Sequence, residues 1–301
     1  MRIVSLVPNA TEILCALGLE SEIVGISHGC DWPPAILSRP RLTTTRIDPE
    51  LTSNEIDRQV RGSLSSGRSL YAIDGKVLRT LSPDLVITQE QCQVCAVDRD
   101  QTVCAMDSLA IDATRLSLTG ADFAGLYRDI VNVGLATQRR EAAESLVDQL
   151  KARLDAIAGR TAPLTKPRVF CLSWFEPLMA AGTWISHLVR AAGGCDSFGS
   201  GSAASSPVSV DRLLAQPPEV IFLIPCSFSQ ARSSREWAQI GSLPLWRDLT
   251  AVQTGRVFTL ESSLFHRQGP RMVDGVELMA SLLHPDCCSY GAQDQYSRQV
   301  A

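Results

Sequence analysis

The sequence has little basic charge, no long apolar run and no glycine-rich nucleotide motif. Its 301 residues carry 28 Lys and Arg against 32 Asp and Glu, which argues against a nucleic-acid surface, because such a surface needs clustered basic residues. No stretch approaches the roughly 18 apolar residues of a membrane span, so no membrane insertion is expected. The turn after the first strand has neither GxGxxG nor GxxxxGK[ST], so neither a dinucleotide nor a nucleoside triphosphate is expected there.

A hydrolase of the acyl-transfer type is also not expected. No GxSxG elbow follows a predicted strand, and the chain has only four histidines, spread thinly. What is present is the composition of a globular chain, with 45% apolar and 20% charged residues over a length that suits two domains. A small-molecule or protein partner is therefore the expectation.

Short apolar runs alternate with amphipathic helices along the chain, which predicts parallel sheets and an α/β fold. Strands are predicted at 2–7, 22–26, 84–88, 115–118, 168–172, 220–224 and 256–260. Residues 136–160 have apolar side chains at helical spacing and no proline, which predicts one long helix. We expect an N-terminal lobe over 1–135, this linking helix, a C-terminal lobe over 161–286 and a flexible tail over 287–301, with a cleft between the lobes.

The loops at the carboxyl ends of these strands are the expected ligand site, as in other open α/β sheets. They cover residues 8–9, 28–32 and 89–95 in the first lobe, and 174–184, 226–228 and 265–271 in the second. Asn9 with Glu12 three residues later predicts a capped helix start. His28 stands two residues from Cys30 at a strand end, which makes it the histidine best placed to contact a ligand.

Six segments resemble, in order, the class III substrate-binding proteins of ABC importers, and most of all their cobalamin-binding members: SLVPNATE, SHGCDWPP, LRTLSPDLVIT, AGTWISHLVRAAGG, PVSVDRLLAQPPEVIFL and HRQGPR. The resemblance covers about residues 2–284. It implies two Rossmann-like lobes with parallel sheets joined by one long helix. It also implies that cobalamin, haem or a ferric siderophore is bound between the lobes.

The resemblance, carried over by position, implies ligand contacts from Trp32, the loop after Thr88, the loop around Trp184, and Phe265 with Arg267. Together with the residues of the strand-end loops, the candidate ligand-binding set is Asn9, His28, Trp32, Gln89, Glu90, Trp174, Glu176, Trp184, Phe265 and Arg267. A structural role is the alternative for each: the tryptophans as packing residues, Arg267 as a donor to carbonyls, and Glu176 as an exposed carboxylate.

Two features depart from the importer pattern. Family members present an acidic residue near the start of a surface helix in each lobe, where the permease docks; the second lobe has Asp211, but the matched position in the first holds Lys76. The N-terminus shows no signal-peptide pattern. We therefore predict a cytoplasmic relative that binds a corrinoid without docking to a permease. A periplasmic importer receptor is the alternative if a leader was removed.

The cysteines allow a different function. Cys92 and Cys95 form a CxxC, and Cys30 and Cys226 also follow predicted strands, so four thiols could bind zinc, an iron–sulfur cluster or the metal of a cofactor. The same residues suit a thiol redox pair or free reduced cysteines. A binding protein for a corrinoid or another metal-bearing ligand remains favoured over a metal- or thiol-dependent enzyme.

Overall fold

The chain forms two compact units in the computed structural model, which describes residues 1–90, 99–182, 184–199 and 204–301. Unit 1 comprises Met1–Gln149 with Gln268–Pro270, and unit 2 comprises Leu150–Arg267 with Arg271–Ala301. The late segment Gln268–Pro270 is part of unit 1, and it contacts the first helix of the chain at Glu12. A Cβ built on Gly269 would lie 2.7 Å from Oε2 of Glu12, so only a glycine fits against that carboxylate without displacing it.

Unit 1 is a parallel βαβ unit with a small second sheet. Its strands are β1 (Ile3–Ser5), β2 (Ile23–Ile26), β3 (Thr43–Thr45), β4 (Tyr71–Ile73), β5 (Leu85–Gln89) and β6 (Thr114–Leu118). Its helices are α1 (Pro8–Ala16), α2 (Ser53–Ser65), α3 (Gly75–Leu81), α4 (Arg99–Ser108) and α5 (Phe123–Ala136), followed by α6 (Arg140–Thr161). The main sheet has the order β2-β1-β5-β6 and is parallel throughout. The carboxyl ends of these strands therefore lie at one edge.

The apolar runs form this sheet because their side chains are removed from water on both faces. Val4 on β1 and Val86 on β5 are fully buried, in one core with Leu42, Leu78 and Met106. Such burial contributes about 25 cal/mol per Å² of apolar surface. Parallel strands covered by helices on both faces are continuous apolar runs, which is why the sequence predicted them well.

The start of α1 differs from the prediction. The helix begins at Pro8, its N-cap is Val7, and no side chain caps it; Asn9 is inside the helix and buried. Proline suits the first helical turn, because its missing N–H would have had no helical partner there. The capping-box pattern occurs instead at α2, where Thr52 and Glu55 exchange hydrogen bonds.

The two-stranded sheet β3–β4, with helix α2 between its strands in sequence, occupies a polar stretch for which no element was predicted. Thr43 pairs with Ile73 and Thr45 with Tyr71 in antiparallel register. The carbonyl of Pro40 accepts from the N–H of Ile26 on β2, at 2.9 Å, and the carbonyl of Ile26 accepts from the N–H of Leu42, at 2.8 Å. These bonds hold the β3–β4 sheet next to the carboxyl end of β2.

Unit 2 is built around three parallel strands. Its strands are β7 (Arg168–Trp174), β8 (Met179–Ala180), β9 (Cys195–Asp196), β10 (Ser206–Pro207), β11 (Val220–Leu223), β12 (Val257–Leu260) and β13 (Ser297–Gln299). Its helices are α7 (Ile185–Ala191), α8 (Val210–Ala215), α9 (Gln230–Ile240), α10 (Pro244–Arg247), α11 (Thr250–Gln253), α12 (Met272–Leu283) and α13 (Gln293–Tyr296). The sheet order is β10-β8-β7-β11-β12-β13, with β9 also paired to β7.

The edges of this sheet are antiparallel, and the sequence did not reveal them. β8 and β10 extend it beyond β7, and β13 pairs with β12 on the other side. Residues 287–301, predicted as a flexible tail, thus contain a helix and a strand. The polar composition was misleading because β13 is held mainly by backbone bonds, including Val300 N–H to the Val257 carbonyl at 2.8 Å.

Helix α6 is one continuous helix of 22 residues. It starts at Arg140, four residues later than predicted, because α5 extends to Ala136. The border between the two units falls within it, between Gln149 and Leu150. The predicted lobe boundaries at 135 and 161 stay predictions.

Candidate functional site

The carboxyl edge of the unit 1 sheet brings several predicted residues to the ends of neighbouring strands. Gln89 is the last residue of β5 and is buried, and Glu90 after it is exposed. Trp32 follows β2 and is 38% exposed, preceding a cis peptide bond to Pro33. Of these, Trp32 and Glu90 present side chains at the surface, whereas Asn9 and Gln89 are covered.

His28 is held through both its backbone and its ring. Thr43 Oγ1 accepts from the backbone N–H of His28 at 2.9 Å, and it lies 2.6 Å from the ring atom Nδ1. The imidazole stacks on Tyr71, with ring centroids 5.3 Å apart and an angle of 29° between planes. The guanidinium of Arg41 donates to the His28 carbonyl.

Burial lowers the pKa of His28, and the positive charge of Arg41 adds to this effect. The folded state therefore favours a neutral imidazole, with one ring nitrogen carrying a lone pair.

We expect this shift to make the protein less stable in mild acid. The folded-state pKa lies below the ordinary value of 6.5, so the unfolded chain binds the proton more readily. The stabilisation from the neutral ring is present above pH 6.5 and is lost as the pH falls through the folded-state pKa. Denaturant unfolding of wild type and His28→Gln across this range checks it. An identical fall in stability in both proteins would contradict the assignment.

In unit 2 the carboxyl ends of β7 and β11 carry an aromatic cluster of Trp174, Phe175 and Phe228, with Arg232 of α9 packed against it. The rings of Trp174 and Phe228 are 5.1 Å apart, and the Arg232 guanidinium lies 3.6 Å from the Phe228 ring centroid. This is cation–π geometry. Trp174 is half-buried, so part of its ring faces outward, and Glu176 in the following loop is exposed.

Trp184 and Phe265 contact each other, but only one of them is at the surface. The indole N–H of Trp184 donates to the Phe265 carbonyl, and Trp184 is half-buried. Phe265 is fully buried, and a Cβ built on Gly275 would lie 3.1 Å from Cε1 of its ring. Phe265 is therefore a core residue of unit 2, where the loop after β12 folds back onto α12, and its role as a ligand contact stays a prediction.

Arg267 and Cys226 are both half-buried in unit 2. Cys226 Sγ is 3.7 Å from Ser227 Oγ. Ser227 has φ +65°, a left-handed conformation that is uncommon outside glycine. Such strain is often found near binding sites.

The four-thiol site is not assembled by the residues that the structure describes. Cys92 and Cys95 lie outside them, and Cys30 is fully buried, with Sγ 3.0 Å from Thr11 Oγ1 and 3.1 Å from Ser27 Oγ. Within the described ranges no group of three or more His, Cys, Asp or Glu is placed to hold a metal ion. Burial raises the pKa of Cys15 to about 12 and that of Cys171 well above its ordinary value, which disfavours thiolate chemistry at both.

Sequence reasoning missed the residues that support the predicted ones. Thr43 and Tyr71 hold His28, and Arg232 backs the aromatic cluster, yet none of the three is in a recognisable motif. Phe228 lies in the predicted loop 226–228, which comes after the buried strand β11, but its aromatic contacts were not predicted.

Comparison with known proteins agrees with this fold. A family model described as periplasmic binding protein matches residues 76–264, which is more than half of the chain. The chain therefore belongs to the periplasmic binding protein family. Among the helices that the structure describes, none has the length and apolarity to cross a membrane.

The individual relatives have low sequence identity to this chain. The vitamin B12-binding protein of Vibrio cholerae serotype O1 is 24% identical over 294 residues, covering 94% of this chain and 88% of that protein. The crystal structure of the periplasmic vitamin B12 binding protein of Vibrio cholerae matches with TM-score 0.69 and 22% identity, over 94% of this chain and 96% of that one. A periplasmic heme binding protein from Pseudomonas aeruginosa matches with TM-score 0.74 and 19% identity, over 95% and 93%. These structural matches establish the fold.

Proposed function

We propose that this protein binds a corrinoid without transforming it, using the loops at the carboxyl edges of its two sheets. The observation that carries this proposal is the match over 94% of the chain to a vitamin B12-binding protein. A second set of relatives, 24% identical over 289 residues, is named cobalamin-binding protein. Haem and ferric siderophores are the competing ligands, because the same fold occurs in a heme binding protein.

The exposed side chains at these edges favour a corrinoid over haem. Trp32 in unit 1 and the half-buried Trp174 in unit 2 offer aromatic surface to either macrocycle, so the distinction between the two ligands comes from charge. Glu90, after β5, and Glu176, in the loop after β7, are exposed carboxylates. They accept hydrogen bonds from the amide side chains that surround a corrin ring, but they repel the carboxylates of haem. That loops of both units contact one ligand stays a prediction, which single substitutions in each unit test.

Titration decides the ligand. We expect calorimetry to give saturable binding of cobinamide and aquocobalamin with dissociation constants below about 100 μM, and haemin to bind at least about tenfold more weakly. The reason is that haemin carries carboxylates, which the negative charges of Glu90 and Glu176 disfavour. Saturable binding of haemin alone would replace the corrinoid by haem, and no binding of either would reject this function.

The residues that would dock to a permease are not those of the proposed ligand site. The first unit has an acidic residue at the start of a surface helix after all, because α3 begins at Gly75 and its N-cap is Asp74. Asp74 is exposed, and its Oδ1 accepts from the N–H groups of Lys76 and Val77, each at 3.0 Å. With Asp211 in the first turn of α8, each unit carries one such carboxylate. Lys76 is therefore no argument against an importer, and both that role and the cytoplasmic location stay predictions.

The zinc or iron–sulfur function also stays a prediction. The burial of Cys30 among hydroxyl groups offers it no support.

A further inference from the structure

The segment that carries His28 is fixed to the two-stranded sheet β3–β4 and to the residues just before it. Ile26, at the end of β2, forms a parallel bridge with Arg41, which lies just before β3. The backbone of His28 is then bonded through both its groups, the N–H to Thr43 Oγ1 and the carbonyl to Arg41. The backbone position of this residue is therefore set by the fold rather than by the loop alone.

The imidazole ring is fixed by the same two-stranded sheet. Thr43 Oγ1 lies 2.6 Å from Nδ1, and Tyr71 covers one ring face. Thr43 is on β3 and Tyr71 on β4, where Tyr71 is paired with Thr45. A histidine with one nitrogen bonded to an oriented oxygen and one face packed has little rotational freedom.

This arrangement leaves Nε2 as the ring nitrogen that can act as a ligand. Among the described residues no hydrogen bond reaches it, and the side chain is only half-buried. Metal-binding histidines have this form: one nitrogen donates to a neighbouring oxygen, which fixes the tautomer, and the other binds the metal. The lowered pKa of His28 keeps the ring neutral at neutral pH, as ligation requires.

We propose that His28 Nε2 is an axial ligand to the metal of the bound tetrapyrrole, oriented by Thr43 and Tyr71. Nδ1–H then donates to Thr43 Oγ1, and the lone pair of Nε2 replaces an exchangeable water on the metal. The protein thus selects tetrapyrroles whose metal has a replaceable axial ligand, over those in which both axial positions are blocked. This inference rests on the proposed function, because it requires that such a ligand binds.

Electron paramagnetic resonance of the cobalt(II) form of cobinamide tests the coordination directly. Cobinamide lacks the nucleotide base of cobalamin, so a resolved splitting of the cobalt signal by an axial nitrogen comes from the protein. We expect wild type to show nitrogen splitting and His28→Ala to bind cobinamide without it. Thr43→Val, which removes the orienting oxygen but keeps the shape, should weaken binding about 10- to 100-fold.

His187→Ala is the matched control, since His187 is a half-buried histidine on α7 in unit 2, and it should keep the splitting. Cobinamide binding to wild type without splitting would overturn the role of His28 and leave the corrinoid function intact. Splitting that persists in His28→Ala would also overturn it. Absence of cobinamide binding would reject the corrinoid function itself. A haemin arm, read by the shift of its main absorption band, shows whether the same histidine takes iron.

Discussion

Replacing Trp32 by alanine is expected to weaken cobinamide binding about 30-fold, or about 2 kcal/mol, while changing the unfolding free energy by about 1 kcal/mol or less. The side chain is 38% exposed at the carboxyl edge of the unit 1 sheet, so it contributes little to packing. A large aromatic face buried against a ligand is, by contrast, a typical binding hot spot. Calorimetric titration of wild type and variant measures the difference.

Two variants define what the loss means. Trp32→Phe keeps an aromatic face and should retain most of the affinity. Leu37→Ala removes an apolar side chain that is 45% exposed a few residues further along, and it should leave binding unchanged. Equal losses in Trp32→Ala and Leu37→Ala would indicate a general disturbance of this region, and unchanged affinity in Trp32→Ala would remove the residue from the site. The same comparison with Trp174→Ala tests whether unit 2 contributes to binding.

Replacing Phe265 by alanine is expected to have the opposite effect. Its ring is fully buried and packs at Gly275, so the truncation should cost about 3–5 kcal/mol of unfolding free energy. Phe265→Leu, which keeps much of the volume, should cost about 1 kcal/mol. The folded fraction of either variant should bind cobinamide about as well as wild type, because this side chain is not on the surface.

Tryptophan fluorescence during denaturant unfolding is a suitable measurement. Four of the five tryptophans lie in unit 2, and Trp237 and Trp246 form a buried pair with centroids 5.1 Å apart. The signal therefore reports mainly on the unit that contains Phe265. Full stability of Phe265→Ala together with lost binding would contradict this core role and support the predicted ligand contact.

The buried strands were predictable because their sequences leave few alternatives. Runs such as Ile3–Ser5 and Val220–Leu223 are buried at every position, so hydrophobicity alone marks them. The antiparallel edges were not predictable, since β8 and β10 have two residues each and are held by backbone bonds. Sequence patterns report side-chain burial, and a strand that pairs without burying side chains leaves little trace.

The site was predictable as a set of loops but not as a set of contacts. The rule that ligands bind at the carboxyl ends of parallel strands identified the segments around His28 and Trp174. It could not distinguish Phe265 from Trp184, which are bonded to each other but differ in burial. Nor could it find Thr43 and Tyr71, because their roles depend on a two-stranded sheet that the polar sequence did not indicate. Periodicity identifies faces, whereas orientation of a single ring depends on the neighbours that the fold brings to it.

The contribution of Gln268–Pro270 to unit 1 means that no continuous fragment reproduces that unit. A polypeptide ending at Gln149 would expose the Glu12 carboxylate, which is 4% exposed in the intact chain. Domain excision or exchange with a relative must therefore transplant the segment after Arg267 along with the first half of the chain. The two halves are interleaved in sequence, and a binding study on either one alone would concern an incomplete molecule.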